Sequence, residues 1–345
     1  MDVNNNVVHQ WKTSYRARSL RFLPDGSLVR SVRIPRGTAP GQSGAIQRHA
    51  LDGTLLWDWR YDVPGVLVHH DISVLPNGNV LLIAKHDQTR AAAIAAGRNP
   101  NTFSQVFSPE KIIEVKPTGL TTGTSVWEWN AWDHLVQNDN EDAANYGDPA
   151  ANPQLIDING TGEAVEISDE ELAQLQALGY VPEDAEAEDL SSDIFHTNAI
   201  HYNAALDQIV LSVPEYNEIW IIDHSTTTEE AAGSTGGRWG HGGDLLYRWG
   251  NPRVYSRGTA EDQQLGYQHD VRWIPAGYPG AGNLTIFNND VPAEDGNYSR
   301  VVEIAPPMGG SGYDLSEGEP FEPAEPVWAY SAAAATPAVR KVARG

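Results

Sequence analysis

HDISVLPNGNVLLIA (residues 70–84), HTNAIHYNAALDQIVLSV (196–213) and HDVRWIPAGYPGAGNLTIFNND (269–290) follow one pattern. In each, a histidine opens a short alternating strand, a turn rich in Pro, Asn, Asp or Gly follows, and a second apolar strand returns. His70, His196 and His269 therefore stand at matching places in repeated units. Arranged around an axis, such units would bring three imidazoles to one site.

The repeat extends beyond these hairpins. An apolar strand ending in an aromatic doublet recurs as VVHQW to Trp11, LLWDW to Trp59, VWEW to Trp129, LLYRW to Trp249 and VWAY to Tyr330. Ahead of the last four lie single strands at 45–53, 111–119, 218–225 and 300–307, and ahead of those lie hairpins. Their turns fall at Pro24-Asp25-Gly26, Pro76-Asn77-Gly78, Ala204 to Asp207 and Pro275 to Gly282. Four strands per repeat, at spacings of roughly 45 to 80 residues, predict an all-β fold, a β-propeller. Stacking such units around an axis buries sheet faces that one unit alone would expose, with the doublets filling the space between neighbouring sheets. A β-sandwich, the competing all-β reading, predicts no regular recurrence of the doublets.

The whole chain, 1–345, reads as a single propeller domain with an insertion at 139–192. Within it SDEELAQLQALGY (168–180) predicts one short helix, with Ser168 and Glu171 as a capping box and Leu172, Leu175 and Leu178 at helical spacing. PEDAEAEDLSSD (182–193) reads as a solvated acidic loop. Asp157-Ile158-Asn159-Gly160 lacks the full spacing of a calcium loop. Residues 331–345 carry no strand pattern and read as a poorly ordered tail. With an opening strand that is the last of a repeat, this predicts an incomplete ring in a truncated chain.

Composition narrows the function classes. The 345 residues are 40% hydrophobic, enough for a sizeable core, and carry a net charge of −23. That field repels nucleic acid and anionic membranes. The absence of cysteine excludes disulfides, thiol nucleophiles and Cys-ligated metal. Neither a membrane-spanning apolar run nor a signal peptide is visible, and localisation stays open.

Period two puts His196 and Asn198 on one face about 7 Å apart, able to share a ligand. By the same rule Asp71 and Asp270 face away from His70 and His269 and should bind backbone or neighbouring-strand donors. His9, His49, His86, His134, His224 and His241 lack the registration, and His69 depends on a strand register that the sequence does not fix. Three imidazoles could hold a zinc ion with an open position, or carry out group transfer with one neutral ring attacking and the others stabilising charge. No nucleophile elbow, P-loop or dinucleotide fingerprint competes.

HHDISVLPNGNVLLIA, HTNAIHYNAALDQIVLSVPEYNEIWIIDHS, GGDLLYRWGNPRVYSRGTAEDQQLGYQHDVRWIP and NLTIFNND with YSRVVEI resemble the bacterial arylsulfate sulfotransferase family from about residue 7 to Tyr330. The resemblance implies a six-bladed propeller, incomplete here, with a funnel-shaped axial site. It implies transfer of a sulfuryl group from a phenolic sulfate donor to a phenol acceptor, without the nucleotide donor PAPS, any other cofactor or a metal. In that reading His269 of QHD is the nucleophile that becomes sulfated. His196 and Asn198 of HTN donate to the sulfate oxygens, and His70 of HHD is a third contact that also protonates the leaving phenolate. Family members are often exported. Where a well-studied branch carries an arginine in a Ser-Ser-Arg context, this chain reads Ser212-Val213-Pro214, leaving Arg248, Arg253 and Arg257 as substitutes. The alternative is an inactive propeller that binds a small anion or a protein partner.

Overall fold

The structure is a computed structural model that describes residues 3–34, 43–61, 63–102, 106–161, 168–177, 193–292, 297–310 and 312–331. Four antiparallel four-stranded sheets make the blades of a β-propeller. Blade one comprises Ala17–Phe22, Leu28–Arg33, Gly44–His49 and Leu55–Arg60. Blade two comprises Val66–Val74, Val80–His86, Glu110–Pro117 and Gly123–Asn130. Blade three is Ala199–Asn203, Gln208–Val213, Glu218–Asp223 and Tyr247–Trp249. Blade four is His269–Trp273, Leu284–Val291, Tyr298–Ile304 and Trp328–Tyr330. The first strands lie innermost, one packed on two, two on three and three on four.

The sequence dictates this locally. Gly26 and Gly78 take φ of +80° and +85° in the hairpin turns, a region that glycine enters without a Cβ clash. The second and third strands of blade three, QIVLSV and EIWIID, are buried on both faces. Trp57, Trp59, Trp127, Trp129, Tyr247 and Trp249, from three of the doublets, are buried. Their indoles tie each blade to the next: Trp57 Nε1 donates to Thr122 O, Trp129 Nε1 to Gly243 O and Trp249 Nε1 to Pro323 O. Trp328 and Tyr330 stack on each other, ring centroids 6.3 Å apart, yet stay 50% and 59% exposed. No further blade follows them among the described residues.

Asp71 ties the blades together near the axis. It accepts from Ser19 Oγ and from Arg21 Nη2 at 2.5 and 2.6 Å in blade one. It also accepts from Ile200 N at 3.3 Å in blade three and from Arg272 Nη2 at 3.0 Å in blade four. The aspartate thus binds donors on neighbouring strands, although a bulge rather than regular alternation sets its direction.

Two readings need correction or extension. VVHQW is not a strand: residues 7–11 are unpaired, Val7 and Val8 are exposed, and Trp11 spends its indole N–H on Ala50 O at a turn of blade one. A helix at Arg90–Ala95, capped by Thr89 Oγ1, interrupts blade two where no helix was expected. Within the 139–192 stretch, Ile156–Asp157 pairs in parallel with Leu135–Val136, which lies just ahead of it, and a helix runs over Asp169–Ala177. Leu178, the acidic run from 182 to 192, and residues 332–345 of the expected tail lie outside the described residues. No helix among the described residues is long and apolar enough to cross a membrane.

Candidate functional site

The histidines sit where the innermost strands break their regular alternation. In blade two His69 pairs with Ile83 and Ile72 with Leu82, so His70 and Asp71 form a bulge, with His70 at φ +48°. In blade four His269 pairs with Phe287 and Arg272 with Thr285, and the left-handed residue is Asp270 at φ +52°. His196 takes φ +51° just ahead of blade three's first strand. A side chain held in this region costs on the order of 1 kcal/mol or more, and such strain gathers at functional sites. Bulges of this kind re-aim side chains.

These geometries modify the registration. His70 and His196 share one backbone state, but His269 stands one residue before the left-handed position, the place His69 occupies in blade two. Period two also fails to relate His196 to Asn198, because His196 precedes the strand. Asn198 turns its amide to Gln268 O, donating at 2.9 Å.

The rings of His70 and His196 meet edge to face, centroids 4.7 Å apart. Behind His196, its Nδ1 lies 2.6 Å from Asp193 Oδ2, and Asp193 also pairs with the buried Lys85 Nζ. Burial alone would depress the His196 pKa, but the charge and hydrogen bond of Asp193 outweigh it and raise it. Burial would likewise raise Asp193, yet Lys85 and His196 hold it well below the usual carboxylate range. Asp193 thereby favours the cationic form of His196 and is placed as its counter-ion.

Behind His70 the polarity is opposite. His69 Nδ1 lies 2.7 Å from His70 Nδ1, and His69 Nε2 lies 3.0 Å from Glu110 Oε2. Glu110 Oε1 accepts from Thr197 N at 2.9 Å, joining blade two to the HTN segment. Burial, with Asp193 nearby, pushes Glu110 up to about 8. Burial, with Lys85 nearby, pulls His69 well below its ordinary value. Both members of this pair are neutral near pH 7.

His269 Nδ1 lies 3.1 Å from Tyr267 O and 2.9 Å from Asn289 Nδ2. Burial lowers its pKa, the Tyr267 carbonyl offsets part of that, and the charge of His196 lowers it further, so the uncharged ring is favoured. Thr197 Oγ1, Asn198 Oδ1 and Gln268 Oε1, on the segments that carry His196 and His269, and Asn289 Oδ1, on the strand beside His269, are buried without a protein hydrogen-bond partner.

None of the substitute arginines bonds to this cluster. Arg248 is buried against Glu218, Nη2 to Oε2 at 2.5 Å, donates to Leu155 O at 2.9 Å and lies 4.3 Å from the Tyr255 ring centre. Arg257 holds Ala150 O and Glu319 O, each at 2.7 Å, and Arg253 is exposed. Pro214 starts a buried one-turn 3-10 helix after the strand. Lys85, paired with Asp193, is a cation fixed beside His196. With Asp193 and Glu110 it escaped the sequence reading, and its one signal was a charge in the apolar run VLLIAKH. No group of three His, Cys, Asp or Glu among the described residues is arranged to hold a metal ion.

The fold is a β-propeller with histidines on, or just ahead of, neighbouring inner strands. The chain belongs to the arylsulfotransferase (ASST) family, whose family model matches residues 8–305. No curated protein matches it significantly. Among solved structures it is similar to Kuenenia stuttgartiensis hydrazine synthase at 12% identity and a TM-score of 0.37, over 80% of this chain. The chain spans 57% of the length of that one, and so slight a likeness carries no argument.

Proposed function

We propose that this chain transfers a sulfuryl group from an aryl sulfate to a phenol through a sulfated His269, with no PAPS. The observation that carries the reading is Asp193 Oδ2 at 2.6 Å from His196 Nδ1, a contact that favours the cationic ring, while burial lowers the pKa of His269 and favours its uncharged form. The route uses the His269 tautomer that carries its proton on Nδ1 toward the Tyr267 carbonyl, with the Asn289 amide donating to that same carbonyl rather than to the ring, which leaves the Nε2 lone pair to attack sulfur.

As the Nε2–S bond forms, the S–O bond to the aryl group breaks, and charge spreads over the three remaining sulfuryl oxygens. His196 and the second N–H of the Asn198 amide would stabilise that charge. A transfer of this kind needs positioning and cationic donors more than covalent assistance. Lys85 reinforces the cationic field in an otherwise acidic molecule. His70 would protonate the departing phenolate. The phenol acceptor then takes the group from His269 in a second half-reaction.

Initial rates with 4-nitrophenyl sulfate and phenol varied together test this. Parallel double-reciprocal lines, with turnover abolished in His269→Ala, are expected. Intersecting lines or retained turnover contradict the sulfohistidine route, and no turnover at all favours a propeller that only binds.

A further inference from the structure

His70 does not act alone. Its Nδ1 faces His69 Nδ1 at 2.7 Å, and His69 faces Glu110 at 3.0 Å through its other nitrogen. His69 and Glu110 have fully buried side chains, and Glu110 is fixed from behind by the Thr197 amide. A carboxyl group buried this deeply is costly unless it is neutral or paired. Lys85 is paired with Asp193, and Asp193 with His196, so neither charge pairs with Glu110.

We propose that Glu110, His69 and His70 form a proton relay that lends a proton to the leaving phenolate in the first half-reaction and recovers it from the acceptor phenol in the second. The proposal rests on the sulfuryl-transfer reading and assigns Glu110 and His69 as positioning residues acting through His70.

One set of tautomers satisfies the Glu110–His69 and His69–His70 contacts together. Glu110 Oε2–H donates to His69 Nε2, His69 Nδ1–H donates to His70 Nδ1, and His70 Nε2 carries the remaining proton. When the aryl S–O bond breaks, His70 Nε2–H passes to the phenolate oxygen, His69 Nδ1–H to His70 Nδ1, and the Glu110 proton to His69 Nε2. Each ring ends neutral with its tautomer reversed, and Glu110 ends as a carboxylate. Attack by the acceptor phenol runs the three transfers backwards, restoring the acid as the S–N bond to His269 breaks. The charged groups around the relay are Lys85 on blade two and Asp193 and His196 on the segment entering blade three. The raised Glu110 pKa and lowered His69 pKa match the starting state.

Glu110→Gln tests this, because the amide accepts from Thr197 N and donates to His69 but releases no proton. Phenyl sulfate, whose phenolate is a strong base, needs the proton. 4-Nitrophenyl sulfate, whose phenolate is a weak base, needs it far less. The relay predicts that kcat/KM falls about 100-fold for phenyl sulfate and less than about 10-fold for 4-nitrophenyl sulfate. Equal losses on both esters would overturn it, since a packing defect slows both alike.

A second measurement needs no variant. The proton inventory of wild-type turnover on phenyl sulfate in mixtures of light and heavy water should be bowed, from several protons in flight. A straight line, from one proton, would overturn the relay. Absence of turnover with either ester would contradict the sulfuryl-transfer reading itself, and the relay with it.

Discussion

Asp193 Oδ2 stands 2.6 Å from His196 Nδ1 and also holds the ammonium of Lys85, so one buried carboxylate keeps two cations beside the histidines. Asp193→Asn leaves Lys85 as an uncompensated buried charge and should destabilise the fold by about 3–5 kcal/mol in denaturant titration. It should also lower kcat/KM for the donor about 100-fold by removing the counter-ion that keeps His196 protonated. Pairing it with Lys85→Met should restore stability without restoring activity. A double variant that regained activity would show that the ion pair only supports the fold.

The same pair has a pH signature. Asp193 raises the His196 pKa above its unfolded value, so the stabilisation is complete below about pH 6.5 and is lost as pH rises through the folded value.

Glu110 behaves in the opposite way to a surface carboxylate. With its pKa raised from 4.5 to about 8, the folded state holds a proton that the unfolded chain releases, and stability falls as pH climbs between those values. Glu110→Gln removes that slope. The difference in thermal midpoint between Glu110→Gln and wild type should therefore grow, in favour of the variant, from pH 5 to pH 8. A difference independent of pH would mean that Glu110 is ionised in the folded protein.

Arg248 carries a structural load away from the histidines. Arg248→Met leaves Glu218 buried without its partner and frees the carbonyl of Leu155. A loss of about 3–5 kcal/mol in denaturant titration is expected. The KM for 4-nitrophenyl sulfate should stay within about twofold at a temperature where the variant is folded. A large rise in KM would place Arg248 at the substrate.

Asp71→Asn weakens charge-assisted bonds to Arg21 and Arg272, which belong to blades one and four. Each such bond contributes about 1.5–3 kcal/mol. The midpoint of unfolding should fall. Amide exchange should quicken first at Ala17–Phe22, where blade one loses its tie to the axis. A uniform rise across all four blades would contradict the role of Asp71 as an inter-blade tie.

Much of this architecture is legible in the residues because strands write their period and turns write their glycines. Pro24-Asp25-Gly26 and Pro76-Asn77-Gly78 sit in the hairpin turns, and three doublets are buried between sheets. VVHQW misled because its alternation resembles an edge strand, while pairing depends on a neighbouring strand that the sequence does not name. The bulges at His70 and Asp270 hid for a related reason: an inserted residue shifts the face of everything after it, and no residue type announces it. Asp193 reads as the end of a solvated acidic loop, and nothing in the pattern around Lys85 or Glu110 marks either of them as a site residue. Their burial comes from contacts between blades, such as the 110-to-197 hydrogen bond, which only tertiary structure creates.

A covalent intermediate on His269 distinguishes this chemistry from direct transfer. It is sought by intact mass within seconds of mixing the protein with 4-nitrophenyl sulfate, with no acceptor. A gain of one sulfuryl group is expected, located on His269 by fragmentation, discharged by added phenol and absent from His269→Ala. An unchanged mass in folded protein that is nonetheless turning over the ester would contradict it.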